Sequence, residues 1–245
     1  MQKTLKYLTT FLLSLALIIS FTGCSKSASK TSTTSANPTA TSNNSDEFIP
    51  IAYKYLTTTK GYDATFATGL IAIMLTESNG DPQFVEFSNK YGEEKDNFIK
   101  SSDSDKDTAL TAYHEYGEII LKNNEANTDA YKDSDGNFCP GVGLLLWTGN
   151  RGNDLIGSAY DINDKWTSLD YQLKYITRDL EKAELRPTDD IVKNIKSNED
   201  AIDVIAYNFL MIPKESPQID HYKEKISQVT SVVDNYPLDN VRNVQ

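Results

Sequence analysis

From Phe48 onward, apolar residues recur mostly at helical rather than strand spacing. Ile49, Ala52, Tyr53 and Leu56 share one face of a predicted helix over Phe48–Thr57. Gly61-Tyr62-Asp63 breaks the pattern, and Asp63 is a candidate N-cap. The helix it starts runs to about Glu77 and is apolar almost all round, which predicts a place at the centre of a domain. Gly80 and Pro82 end it. Asp81–Asp107 is polar and irregular. Helical spacing returns over Thr108–Asn123 through Leu110, Tyr113, Tyr116, Ile120 and Leu121. Asp135-Gly136, between Tyr131 and Phe138, predicts a hairpin. A short helix fits Asn150–Tyr160. Thr167 and Asp170 approximate a capping box for the clearest helix, whose stripe is Leu169, Leu173, Ile176 and Leu180. Further helices fit Ile191–Lys196, Glu199–Met211 and Pro217–Val233. The expected class is α+β, mostly α, with a small β-hairpin.

The first residues read as a targeting signal. Lys3 and Lys6 precede an apolar run over Leu8–Phe21, closed by Phe21-Thr22-Gly23-Cys24. This ending resembles the lipobox of bacterial lipoproteins, which implies cleavage before Cys24 and a diacylglycerol on its sulfur. An ordinary secretory signal or an uncleaved anchor are the alternatives, although the run is short against the ~20 residues a spanning helix needs. Ser25–Asp46 is rich in Ser and Thr with no apolar periodicity, as a flexible tether would be. The chain thus divides into a signal (1–23), a lipidated cysteine with linker (24–46) and one domain (47–245), working outside the cytoplasm on the membrane's outer face.

Charge narrows the partners. The formal net charge is −11, and loss of Lys3 and Lys6 with the signal makes it about −13 (−11 minus 2). That argues against nucleic acid and leaves neutral glycans open. With Cys24 assigned to lipid, Cys139 has no disulfide partner. It could act as a nucleophile with His114 or His221, but no helix N-terminus adjoins it to lower its pKa, so a passive thiol is expected. Neither histidine sits in a Cys/His/Asp pattern of zinc spacing, so no metal and no cofactor are expected.

Two stretches carry candidate chemistry. In Ile71-Ala72-Ile73-Met74-Leu75-Thr76-Glu77-Ser78-Asn79-Gly80-Asp81-Pro82, a lone carboxylate ends an apolar helix. Partial burial and the helix C-terminus would both raise its pKa, and a neutral Glu suits a glycosidase's general acid. Alternatively, Glu77 simply points to water. Downstream, Gly141-Val142-Gly143-Leu144-Leu145-Leu146-Trp147-Thr148-Gly149-Asn150-Arg151 combines glycine turns with a Trp that either offers a sugar platform or fills the core. The two stretches are expected to face each other across a cleft.

Together these residues resemble the phage-tail-type lysozymes of the lysozyme-like superfamily. Glu77-Ser78-Asn79-Gly80-Asp81-Pro82 matches the family's Glu-Ser, Gly and Pro after an apolar helix. Gly141–Arg151 matches its Gly-x-Gly-Leu-x-Gln-Trp-Thr-Gly stretch, and Tyr131–Gly136 and Trp166–Leu173 are also similar. The resemblance spans about Glu47 to Val233. It implies a lysozyme-like helical domain with the hairpin beside the cleft, and cleavage of peptidoglycan between N-acetylmuramic acid and N-acetylglucosamine. Glu77 maps to the catalytic acid, and Gly143, Leu146, Trp147 and Thr148 to glycan binding. Asp133 and Asp135 on the hairpin are candidate second acids, with turn chemistry as their alternative explanation. A transglycosylase would need no second acid. The family's Gln is Leu146 here, and leucine can neither donate nor accept a hydrogen bond. This departure keeps open an accessory lipoprotein that binds wall glycan without turnover. A solute-binding lipoprotein is a more distant alternative, since the strand–helix alternation it would need is missing.

Overall fold

The computed structural model describes residues 44–123 and 129–245. All of the signal and most of the linker, with Cys24, lie outside the described residues. The first helix, α1 (Asn44–Lys54), starts within the last three residues assigned to the linker and widens into a π turn, Tyr55–Thr59. α2 (Ala64–Ser78) follows, with the Asp63 carboxylate accepting from the Phe66 N–H as its cap. Every residue from Phe66 to Leu75 is buried. α2 is the central helix, and α1, α8 (Asn198–Asn208), α9 (Pro217–Glu224) and α10 (Ile226–Asn235) pack around it. Its contact with α8 needs Gly69: a Cβ there would stand 2.7 Å from the Ala201 Cβ.

The second half of the core is a chain of neighbours, α3 (Gly92–Ser101), α4 (Lys106–Lys122), α5 (Gly149–Asp161) and α6 (Leu169–Lys182). α3 lies within the stretch expected to be irregular. It buries a single residue, Phe98, too little for periodicity to reveal. That ring stacks on Tyr113, Tyr116 and Trp166 at centroid distances of 5.3, 6.1 and 5.1 Å, so tertiary packing holds a helix that its own pattern does not announce.

Three boundaries differ from the sequence reading. Ser168, not Thr167, caps α6, its Oγ accepting from the Tyr171 N–H. The helix expected over Ile191–Lys196 is the single turn α7 (Asp190–Lys193). The last long helix is broken at Lys225 into α9 and α10.

The described residues contain no strand. Antiparallel pairing is limited to isolated bridges, Lys132–Phe138, Val85–Val142 and Val142–Trp147. Pro140 supplies no N–H, and Gly143 and Leu146 turn the chain at φ of 74° and 48°, so no ladder extends beyond one residue. The expected hairpin is a turn around Asp135-Gly136 with one bridge. No described helix is long and apolar enough to cross a membrane.

Candidate active site

Glu77 lies in the last turn of α2, half-buried, and α9 reaches its carboxyl from the opposite end of the chain. Gln218 Nε2 donates to Oε1 at 2.7 Å, and the Tyr222 hydroxyl donates to the same oxygen. Among the described residues no donor reaches Oε2. Burial raises the carboxyl above the ordinary Glu range; the two hydrogen bonds favour the anion and oppose it, but burial is the larger influence. Ser78, one residue on, turns inward and donates to Leu144 O at 3.2 Å. This bond joins the end of α2 to the Gly141–Arg151 stretch, so the two stretches singled out in the sequence do meet.

A second carboxyl stands at that junction, and it is neither Asp133 nor Asp135. Residues 84–86 run antiparallel to 141–143, with Glu86 N–H donating to Gly141 O at 2.8 Å and Gly143 N–H to Phe84 O at 2.9 Å. Glu86 Oε2 accepts from the Gly141 N–H at 2.9 Å and Oε1 from the Tyr131 hydroxyl at 2.7 Å. Burial raises its carboxyl, the two donors oppose, and the charge of Glu77 raises it further, so the two carboxyls feel each other. Glu86 sits in a stretch without periodicity, and no motif marks it in the sequence.

Asp133 is buried, and turn-forming donors occupy its oxygens. Oδ1 accepts from the N–H groups of Asp135 and Asn137, and Oδ2 from the side-chain amides of Asn137 and Asn153. These bonds hold its carboxyl below the usual range despite the opposing effect of burial. Asp135 is exposed at the tip of the turn. Turn chemistry accounts for both.

Linear spacing offers no Cys/His/Asp pattern of zinc type, yet the fold brings ligand atoms of His114, Asp133 and Cys139 within 4.8 Å of one another. They come from α4 and two arms of the turn, a proximity that linear spacing hides. Their hydrogen bonds form a closed network. His114 Nε2 pairs with Asn153 Oδ1 at 3.0 Å, and the buried Cys139 thiol lies 3.8 Å from Asp133 Oδ2. Burial, with the Asp133 charge, pushes that thiol up to about 12, the opposite of an activated nucleophile.

The expected glycan contacts divide. Trp147 is 4% exposed. The Arg151 guanidinium covers its face at 3.5 Å from the ring centroid, and Phe209 packs on it edge-on. It is a core residue, not an open platform, because Arg151 occupies the face a sugar would need. Gly143 is also structural: its φ is +74°, and a Cβ would stand 2.6 Å from Gln172 Oε1, the acceptor for Leu144 N–H. Thr148 is half-buried at the start of α5, and its hydroxyl does not cap that helix. Leu146 is half-buried at the carboxyl junction. A Cβ added to Gly141 would stand 3.0 Å from both Glu86 Oε2 and the Leu146 Cβ, so the leucine crowds the same side of Gly141 as Glu86.

A cavity of about 930 Å³ lies elsewhere, lined by Arg151, Tyr175, Arg178, Asp179, Phe209 and neighbours. Neither Glu77 nor Glu86 lines it, so the site is assigned by its paired carboxyls, not by cavity size.

The profile of the phage tail lysozyme family matches residues 50–228. This chain belongs to that family. The match begins in α1 and ends in α10, so it takes in Glu77, Glu86 and the donors on α9. No curated protein and no solved structure matches the chain.

Proposed function

We propose that this phage tail lysozyme homologue cleaves peptidoglycan glycan strands, with Glu77 as general acid. Family membership supports the substrate class. The observation that carries the acid is the environment of Glu77: a carboxyl raised by burial, with both donors on Oε1 and Oε2 left to hold the proton. The neutral carboxyl protonates the glycosidic oxygen as the bond to the muramic acid C1 breaks, and Glu77 leaves as the carboxylate that Tyr222 and Gln218 stabilise. Leu146 stands on the same side of Gly141 as Glu86 and withholds the amide that the family pattern places there.

The full-length protein in detergent, incubated with purified peptidoglycan, should release muropeptides visible by mass spectrometry. Muramic acid at reducing ends identifies hydrolysis and anhydro-muramic ends identify transglycosylation. Pull-down of glycan without release, unchanged in Glu77→Gln, would favour the accessory-binder reading that Leu146 motivates.

The proposal extends to location. Acylation at Cys24 would hold the domain on the outer face of the cell membrane, at the end of the Ser25–Asn43 segment that precedes α1, whose root-mean-square span as a flexible tether is about 24 Å. Cys24→Ala should move the protein out of the membrane fraction, and fractionation like wild type would exclude this anchor.

A further inference from the structure

We infer that Glu86 is the second carboxylate of the active site and activates the water that attacks the sugar carbon; this rests on the reading of Glu77 as general acid. Glu86 is held against Gly141 by the pairing of residues 84–86 with 141–143, while Ser78 holds the end of α2 against Leu144. Two carboxyls from separate elements thus flank one tight turn.

The two carboxyls are also held differently. Glu86 has one donor on each oxygen, the Gly141 N–H and the Tyr131 hydroxyl, an arrangement that favours the anion. The Tyr116 hydroxyl donates to the Glu86 carbonyl at 2.7 Å and fixes its backbone. Glu77 has both donors on one oxygen and can carry a proton on the other. The arrangement therefore separates the roles by geometry: Glu77 keeps one oxygen free for a proton, whereas both oxygens of Glu86 accept.

Electrostatics agrees. The charge of Glu77 raises Glu86, and the Tyr131 phenol feels both. Like charges resist joint ionisation, so the Glu77 charge adds to burial in raising the Glu86 carboxyl. The other titratable groups facing the pair are Tyr131, Tyr113 and Tyr116 around Glu86 and Tyr222 on Glu77. Burial raises all four phenols above their ordinary range, so they stay neutral donors beside the carboxyls.

In the step itself, water loses a proton to Glu86 as its oxygen bonds to C1. The C1–O bond breaks, and the leaving oxygen takes the Glu77 proton. Glu86 ends protonated and Glu77 ionised, and exchange with solvent restores both. Fixing the Gly141 turn is the competing role for Glu86, and the two can be told apart.

The test measures muropeptide release by the full-length protein in detergent, alongside melting and glycan co-sedimentation. Glu86→Gln should lose about 100-fold or more in rate, with melting and co-sedimentation retained. In Glu86→Ala, added formate should restore part of the release. Should Glu86→Gln fail to fold, Glu86→Asp keeps the charge but withdraws it by one methylene, and a folded Glu86→Asp should still lose at least tenfold. Release within threefold of wild type in any folded Glu86 variant overturns the assignment. So do anhydro-muramic ends from the wild type, since the sugar's own hydroxyl then attacks; that result leaves Glu77 as acid standing. No release from wild type removes both readings.

Discussion

The Tyr222 hydroxyl donates to Oε1 of Glu77, 145 residues upstream. α9 thus completes the surroundings of a carboxyl that α2 presents. Because the bond favours the anion, its removal should raise the Glu77 pKa further. Activity that depends on neutral Glu77 falls as pH rises through that pKa. In Tyr222→Phe the alkaline limb of the pH–rate profile should therefore move to higher pH, and the lost hydrogen bond should cost about 0.5–1.5 kcal/mol of stability. Gln218→Ala should move the limb the same way. A shift to lower pH in either variant contradicts the assigned surroundings.

Stability should respond to the same carboxyls. Glu77 and Glu86 have folded-state pKa values raised above their unfolded ones. Their contribution is therefore fully present below the unfolded Glu value and lost as pH rises through the raised values. Glu77→Gln, which cannot ionise, should gain in Tm relative to wild type at pH 8 compared with pH 4. Thermal melts at the two pH values check this, and an equal difference at both would show that Glu77 is not raised.

Leu146 combines an uncommon backbone with an uncommon side chain. Its φ of 48° lies in the left-handed region, which costs a branched residue of this kind energy unless the surroundings fix it. Leu146→Gln places an amide beside Glu86, where it can orient water or a sugar acetamido group. We predict a gain in muropeptide release of roughly two- to tenfold, the worth of one added hydrogen bond. A rate equal to wild type would show that the leucine is harmless to turnover.

The carboxyl junction depends on close packing behind it. Gly117 on α4 faces the Phe138 carbonyl, and a Cβ there would stand 1.8 Å from that oxygen. Gly117→Ala must push residues 138–141 outward, and with them the Gly141 N–H that Glu86 accepts. The expected loss is about 1–3 kcal/mol, measured by denaturant titration, together with reduced activity. Unchanged stability would show that the turn yields freely.

Much of this was legible in the sequence, for identifiable reasons. The all-apolar run of α2 announced a central helix, and Asp63 announced its cap, because both signals are local. Glu77 stood out as the one charge on that run. The family pattern brought the Gly141–Arg151 stretch opposite it, and Ser78–Leu144 is the contact that joins them. What stayed hidden depends on distance along the chain. Glu86 gains its meaning from Tyr131 and Gly141, and Gln218 and Tyr222 from Glu77, partners that no window of sequence contains. Asp133 looked catalytic because a turn acid and a catalytic acid are the same residue type; only its four donors separate them. Trp147 was ambiguous until Arg151 was seen to cover it.

The central claim is that Glu77 supplies the proton for glycan cleavage, and a paired measurement on Glu77→Gln tests it most directly. Muropeptide release from purified peptidoglycan and co-sedimentation with the same material are measured for wild type and variant under one buffer. The account predicts release reduced by about 100-fold or more, with co-sedimentation and melting retained. Release within threefold of wild type from a folded Glu77→Gln protein would contradict it.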